Sequence, residues 1–274
     1  MKYLNNHEIK SELLNILSNL DTLFKENNIT YSIMSGTLLG AVRHNGFIPW
    51  DDDIDIGMPR EEYNRFLKLI KSGVLDHYGY VAIGGELRNG NLPFIKIVNK
   101  KIRVEEEDFH AVENACLWID IFPFDYIRLS DIRSKLNNIA FVKKLLYKKI
   151  YQIFGYYRYK RGMKKLYYLA ISTIFAPINK YFLIDKIICL SNYCKDRQLL
   201  IADLTWGIDD SKKCVPSYLF DDLVDYQFEN ITVKGFKDYD TYLTCIYGDY
   251  MKLPPEDQRV NHGIKAWRVN SDEE

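Results

Sequence analysis

Apolar residues between His7 and Asn27 recur at three- and four-residue steps: Ile9, Leu13, Ile16, Leu17, Leu20, Leu23 and Phe24. That period predicts an amphipathic helix, and Asn27-Asn28 supplies its stop. A short apolar stretch, Tyr31 to Met34, then runs into Ser35-Gly36. Thr37 to His44 suits a short helix ended by Asn45-Gly46. From Asp53 to Met58 the pattern switches to strict alternation (Asp, Ile, Asp, Ile, Gly, Met), the period of a strand, until Pro59 breaks it. Arg60 to Ile70 reads as a helix closing near Gly73. Strands are expected at Tyr80–Ile83, Phe94–Val98 and Leu117–Phe122.

Beyond residue 130 the strand pattern disappears. Residues 131–210 form a section of helical runs rich in Lys, Tyr, Leu and Ile, and residues 211–274 return to mixed structure. The expectation is one α+β domain over 1–274, with a mixed-sheet core in 1–130, a helical, basic insertion, and a C-terminal segment completing it. No internal repeat or low-complexity linker interrupts the chain.

Hydrophobic residues make up 47% of the chain and charged residues 27%, which excludes disorder over most of its length. The formal net charge of zero hides an asymmetry: residues 131–200 carry fifteen basic side chains against three acidic ones. Lys and Arg interleaved with Tyr and Phe there suit a helix lying on an anionic membrane surface. They equally suit a Tyr-rich packing layer with a solvated basic face. No nucleic-acid recognition motif accompanies the charge, so nucleic acid is not expected as a partner. The longest uncharged apolar run, Tyr167 to Asn179, is shorter than the ~18–20 residues of a spanning helix. Five cysteines without a CxxC pair predict neither a zinc site nor a disulfide framework. The start is too polar for a signal peptide. The expected location is cytoplasmic, with peripheral docking on the inner face of the cytoplasmic membrane left open.

The chemistry concentrates in SGTLLGAVRH (35–44) and PWDDDIDI (49–56). Carboxylates at i and i+2 of a strand share a face with Cβ atoms roughly 6–7 Å apart, so Asp53 and Asp55 can share one divalent cation. Mg²⁺, or Mn²⁺ in its place, takes one or two carboxylates together with substrate phosphates. The same alternation puts Asp51 on that face and buries Ile54 and Ile56. A merely solvated acidic loop would not need isoleucine at alternate positions. Ser35-Gly36-Thr37 forms a turn at a helix start, where backbone N–H groups hold phosphate well, and Arg43 can grip a phosphate bidentately. Asp120 is an acid within an apolar strand and is the third carboxylate, as a metal ligand or as the base for an acceptor hydroxyl. Lys96 is its basic counterpart, suited to neutralising donor phosphate or simply pointing outward. These features predict metal-dependent transfer of a phosphate-linked group from a nucleotide-activated donor.

The segments SGTLLGAVRHNGFIPWDDDIDIGMPREEY, WIDIFPFD and YGDYMKLPPEDQRVNHG closely resemble the LicD family of phosphotransferases, related to the fukutin-type ribitol-phosphate transferases. The resemblance implies a nucleotidyltransferase-like fold of the polymerase-β superfamily. It places donor phosphate at Gly36-Thr37, Mg²⁺ at Asp53 and Asp55, and Asp120 as the third acid. It implies transfer of phosphocholine from CDP-choline to a hydroxyl of a lipid-linked cell-surface glycan or teichoic acid precursor, with release of CMP. Transfer of another CDP-linked group such as ribitol phosphate, nucleotidyl transfer to a small molecule, and a non-catalytic nucleotide-binding scaffold remain as alternatives. His44, Trp50, Asp51, Trp118 and His262 are the candidates for substrate contact, the two tryptophans because a quaternary ammonium seeks aromatic faces.

Overall fold

The computed structural model describes residues 2–105, 116–205, 214–259, 261 and 263–269. The chain opens with helix α1 (Asn6–Glu26), started by a reciprocal capping box in which Asn5 Oδ1 accepts from Glu8 N at 3.0 Å and Glu8 Oε2 from Asn5 N at 2.8 Å. Its apolar face, Ile9 through Phe24, is buried against the sheet that follows. Strand β1 (Ser32–Ile33), helix α2 (Ser35–His44), strand β2 (Asp55–Pro59) and helix α3 (Arg60–Lys71) come next, then strands β3 (Tyr80–Gly84), β4 (Ile95–Glu105) and β5 (Cys116–Ile127).

The main sheet runs in the order β1, β2, β5, β4. β2 and β5 form its parallel pair, with Asp55 opposite Asp120 and Pro59 opposite Phe124; the neighbouring pairings are antiparallel. β4 and β5 extend well past the expected Phe94–Val98 and Leu117–Phe122. β4 serves two partners in succession, β3 over its first half and the late strand β10 (Lys265–Arg268) over its second, across a register shift between Asn99 and Arg103. In the second half Lys100 and Lys101 are exposed and Ile102 and Val104 are buried between polar neighbours, so it lacks the apolar run that announces the first. Strand β2 begins at Asp55, two residues later than the alternation predicts. Asp53 stands in the loop before it, although Ile54 is already buried and its carbonyl accepts from Asp120 N at 3.0 Å.

Residues 132–191 form three helices, α4 (Ile132–Ile153), α5 (Gly162–Phe175) and α6 (Lys180–Ser191). The inner faces of α4 and α6 join Ile127, Ala202 and Leu204 in a second hydrophobic cluster beside the main one. The basic surface read from the sequence loses two members here: Lys143 and Lys149 are buried. Lys149 Nζ donates to the carbonyls of Phe175 at 3.1 Å and Ala176 at 3.0 Å, satisfying the open end of α5. No helix among the described residues is long and apolar enough to cross a membrane.

The remaining chain returns to the first cluster. Strands β6 (Leu200–Ala202) and β7 (Val215–Pro216) extend the sheet from β5. Strands β8 (Leu223–Phe228) and β9 (Ile231–Phe236) make a separate hairpin, and helix α7 (Tyr239–Tyr247) packs near α2.

Candidate active site

β1 ends where β2 begins, because the two run antiparallel with Ile33 opposite Ile56. Helix α2 therefore starts directly beside Asp55. The Thr37 hydroxyl, buried, accepts from Asp55 N at 2.9 Å, and Met34 N donates to Asp55 O at 3.1 Å. Ser35 adopts φ 48° and donates its N–H to the Tyr242 hydroxyl at 3.2 Å. The small-residue turn and the acidic strand are thus locked into one unit. Asp51 joins them: a Cβ placed on Gly36 would lie 2.6 Å from Asp51 Oδ2. A protein carboxylate therefore sits at the start of α2, the electropositive end of the helix.

Register brings the third acid in. Asp120 faces Asp55 across the parallel pair and Lys96 across the antiparallel one. Lys96 Nζ lies 2.9 Å from Asp120 Oδ1 and donates to Oδ2 at 3.2 Å, while Trp118 Nε1 donates to Oδ2 at 3.2 Å. Oδ1 is buried and accepts no well-aligned hydrogen bond. Burial raises the Asp55 carboxyl well above the usual range; Asp53, Asp120 and Asp51 push it further up, and Lys96 opposes them.

Four carboxylates crowd this position, and Lys96 opposes their effect on Asp55. Their oxygens are the hard donors that Mg²⁺ or Mn²⁺ prefers. Among the described residues no three His, Cys, Asp or Glu side chains converge into a ready-made cage. The donor set fits a cation that takes one or two carboxylates and completes its shell with substrate oxygens and water, the usual habit of Mg²⁺.

Arg43 closes the other end of α2. It donates from Nη1 to Tyr250 O and from Nε to His44 Nε2, both at 3.0 Å. Burial, and next the Arg259 guanidinium, lower the Arg43 pKa; burial and Arg43 likewise lower that of His44. Arg259 stacks over the Trp50 ring at 5.0 Å and is tied to Pro254 O at 2.9 Å. Lys96 covers the Trp118 ring at 4.2 Å. Both candidate aromatic faces thus already carry a protein cation. Trp50, Asp51 and Asp52 line a shallow cleft with Lys10 and Asn261. His262 lies outside the described residues.

Three contributors were not singled out from sequence. Tyr242 is fully buried under Ser35, its phenol raised by burial and by nearby Asp55 and Asp203. The Tyr247 phenol is raised by burial, then by Tyr242 and by Asp55, Asp51 and Asp53. Arg259 supplies a second guanidinium. All three lie far along the chain from the acids; Tyr247 and Arg259 fall in the segment holding YGDY and PPEDQR, and that segment was the only available signal.

Comparison with known proteins agrees with this geometry. Residues 28–144 match the LicD/FKTN/FKRP nucleotidyltransferase domain, a span that contains α2, β2, Lys96 and Asp120. The lipopolysaccharide cholinephosphotransferase LicD of Haemophilus influenzae is 29% identical over 276 residues, covering 97% of this chain and 98% of that protein. Uncharacterised proteins of Rickettsia typhi and Rickettsia prowazekii are 48% and 54% identical over 58 and 50 residues; these matches cover 21% and 18% of this chain and 19% of each relative. Residues 28–144 are thus a nucleotidyltransferase domain of the LicD type, and the chain along nearly its whole length is similar to a cholinephosphotransferase.

Proposed function

We propose that this protein is a phosphotransferase that moves phosphocholine from CDP-choline to a hydroxyl of a lipid-linked glycan, releasing CMP. What carries the reading is the register pair Asp55–Asp120, set beside the Ser35–Thr37 turn and balanced on one side by Lys96. The whole-length likeness to a cholinephosphotransferase supports the choice of transferred group.

Asp53 and Asp55 would hold Mg²⁺ or Mn²⁺, with Asp120 within reach; when bound, the cation neutralises donor pyrophosphate and the charge that develops on the leaving CMP. The protein's own groups do the rest. Arg43, with Arg259 beside it, offers guanidinium donors to donor phosphate. The acceptor oxygen attacks the phosphorus that carries choline, and a new O–P bond forms. The bond from that phosphorus to the bridging pyrophosphate oxygen breaks, and its electron pair leaves with CMP. Asp120 takes the acceptor's proton, its carboxylate aimed by Lys96 and Trp118.

The test is incubation with CDP-choline and CDP-ribitol plus Mg²⁺ or Mn²⁺, with and without glycan acceptor, followed by analysis of nucleotide products. Acceptor-dependent CMP release from CDP-choline is expected. Preference for CDP-ribitol would reassign the transferred group, and release of pyrophosphate from nucleoside triphosphates would instead indicate nucleotidyl transfer. Binding without turnover of any donor would indicate a scaffold.

A further inference from the structure

We propose that helix α5 docks this protein onto a negatively charged lipid bilayer. The helix is apolar on two sides. Ile171 and Phe175 are buried, and α5 rests on α4 and on the Tyr156–Tyr159 turn. An adjoining side, about a quarter turn round the helix, carries Met163, Leu166, Tyr167 and Ile174, exposed by 80%, 60%, 58% and 65%. Steps of three and four residues align these side chains along one stripe. Nothing among the described residues covers it, and a contiguous exposed apolar stripe on a packed helix marks a surface for a partner.

Charge selects the partner. From residue 132 to 184 the chain has twelve basic residues and no acidic one. Lys164 and Lys165 are exposed at the start of α5, and Lys144 is exposed on α4. A second copy brought face to face would set these cations against their own equivalents. An anionic bilayer instead accepts both features: the apolar stripe enters the headgroup–acyl boundary while lysines stay with lipid phosphates. Lys149 fixes the presentation by bonding the end of α5 to α4. This inference does not depend on which group the active site transfers.

The experiment is co-sedimentation of the full chain with phosphatidylcholine vesicles, with or without phosphatidylglycerol. Binding only to the phosphatidylglycerol vesicles, weakened by salt, is expected. The doubly substituted Leu166→Glu/Ile174→Glu and Lys164→Glu/Lys165→Glu proteins should each partition at least about tenfold less. Circular dichroism and CMP release from a soluble acceptor serve as folding controls, since no α5 residue belongs to the site. Failure of the parent protein to bind anionic vesicles, or binding of both variants within about twofold of it, overturns the proposal. Self-association in sedimentation velocity that Leu166→Glu/Ile174→Glu abolishes, with no vesicle binding, assigns the stripe to a second copy.

Discussion

Asp55 and Asp120 are direct register partners on the only parallel strand pair among the described residues. A parallel pair makes this alignment possible between residues 65 positions apart, because the intervening chain has room for α3 and two strands before β5 returns. Asp120 is also held by Lys96 and Trp118, whereas Asp55 is crowded by other acids. The two carboxylates therefore differ in kind. Asp120→Asn should lower CMP release by about 10²–10⁴-fold, the range for losing a general base. Asp55→Asn should abolish release while raising the Tm of metal-free protein, since it removes a buried repelling charge. A lower Tm for Asp55→Asn under metal-free conditions would contradict this electrostatic account.

Gly36 and Gly40 lie on the same helix but should respond oppositely to alanine. At Gly36 the new Cβ meets the end of the Asp51 side chain, which can turn aside. Stability should hold or rise by up to about 1 kcal/mol, from the better helix former. Activity should fall because Asp51 is displaced from the cluster. At Gly40 the Cβ would lie 2.4 Å from the Gly46 carbonyl oxygen, a backbone atom, with Ile48 N at 3.2 Å. Overpacking there should cost about 1–3 kcal/mol. Thermal unfolding and CMP release on both variants separate the two effects.

Much of this arrangement was legible along the chain because it is local. The period-3.6 stripe of α1, the Gly-containing start of α2 and the isoleucines around Asp55 each declare themselves within a few residues, although the helix takes in Ser35 and Gly36, which the pattern placed before it. Asp120 stood out as an acid in an apolar strand, and its partner Lys96 as a base in another. Other features depend on contacts that periodicity does not record. Lys149 resembles its lysine neighbours in sequence, yet it is buried because the end of α5 offers it carbonyls. The strand was expected at Asp53 because alternation begins there, but pairing partners exist only from Asp55 onward. Tyr242 and Tyr247 act on Asp55 from far along the chain; periodicity sets neither apart from the chain's other tyrosines, although Tyr247 opens the YGDY segment.

Burial and then the neighbouring Arg259 guanidinium lower the pKa of Arg43, which suits this corner to an anion. Each is anchored through a backbone carbonyl, Tyr250 O and Pro254 O respectively. Arg43→Ala and Arg259→Ala should each raise the KM for the CDP-linked donor by about tenfold, comparable to losing a charge-assisted hydrogen bond. The kcat should change less. Arg→Lys at either position should restore only part of the affinity, because the planar fork is lost. Steady-state kinetics with varied donor at fixed acceptor provide the check; an unchanged KM in both alanine variants would remove the pair from donor binding.

Arg60, Asp125 and Glu86 form a buried polar network away from the acidic cluster, and its two acids should behave differently. Arg60 donates Nε and Nη2 to the two oxygens of Asp125 at 2.8 and 2.7 Å, and Nη1 to Glu86 at 3.2 Å. Asp125 is 1% exposed, so Asp125→Asn strips the bidentate charge from an arginine that cannot reach water; a loss of about 3–5 kcal/mol is expected. Glu86 is the surplus acid. Burial raises its pKa above 4.5, Asp125 adds to the rise, and Arg60 opposes it. A carboxyl whose pKa is higher in the folded state binds its proton more tightly there. Its stabilising contribution is therefore complete below pH 4.5 and is lost as pH climbs through the raised value. Glu86→Gln keeps an acceptor for Arg60 and removes this titration. Relative to the parent protein, the variant should gain stability as pH rises from 4.5 through the raised value and level off above it. Urea midpoints measured for both proteins across that window test the sign: a difference that shrinks with rising pH would show that Glu86 is held ionised by Arg60 instead.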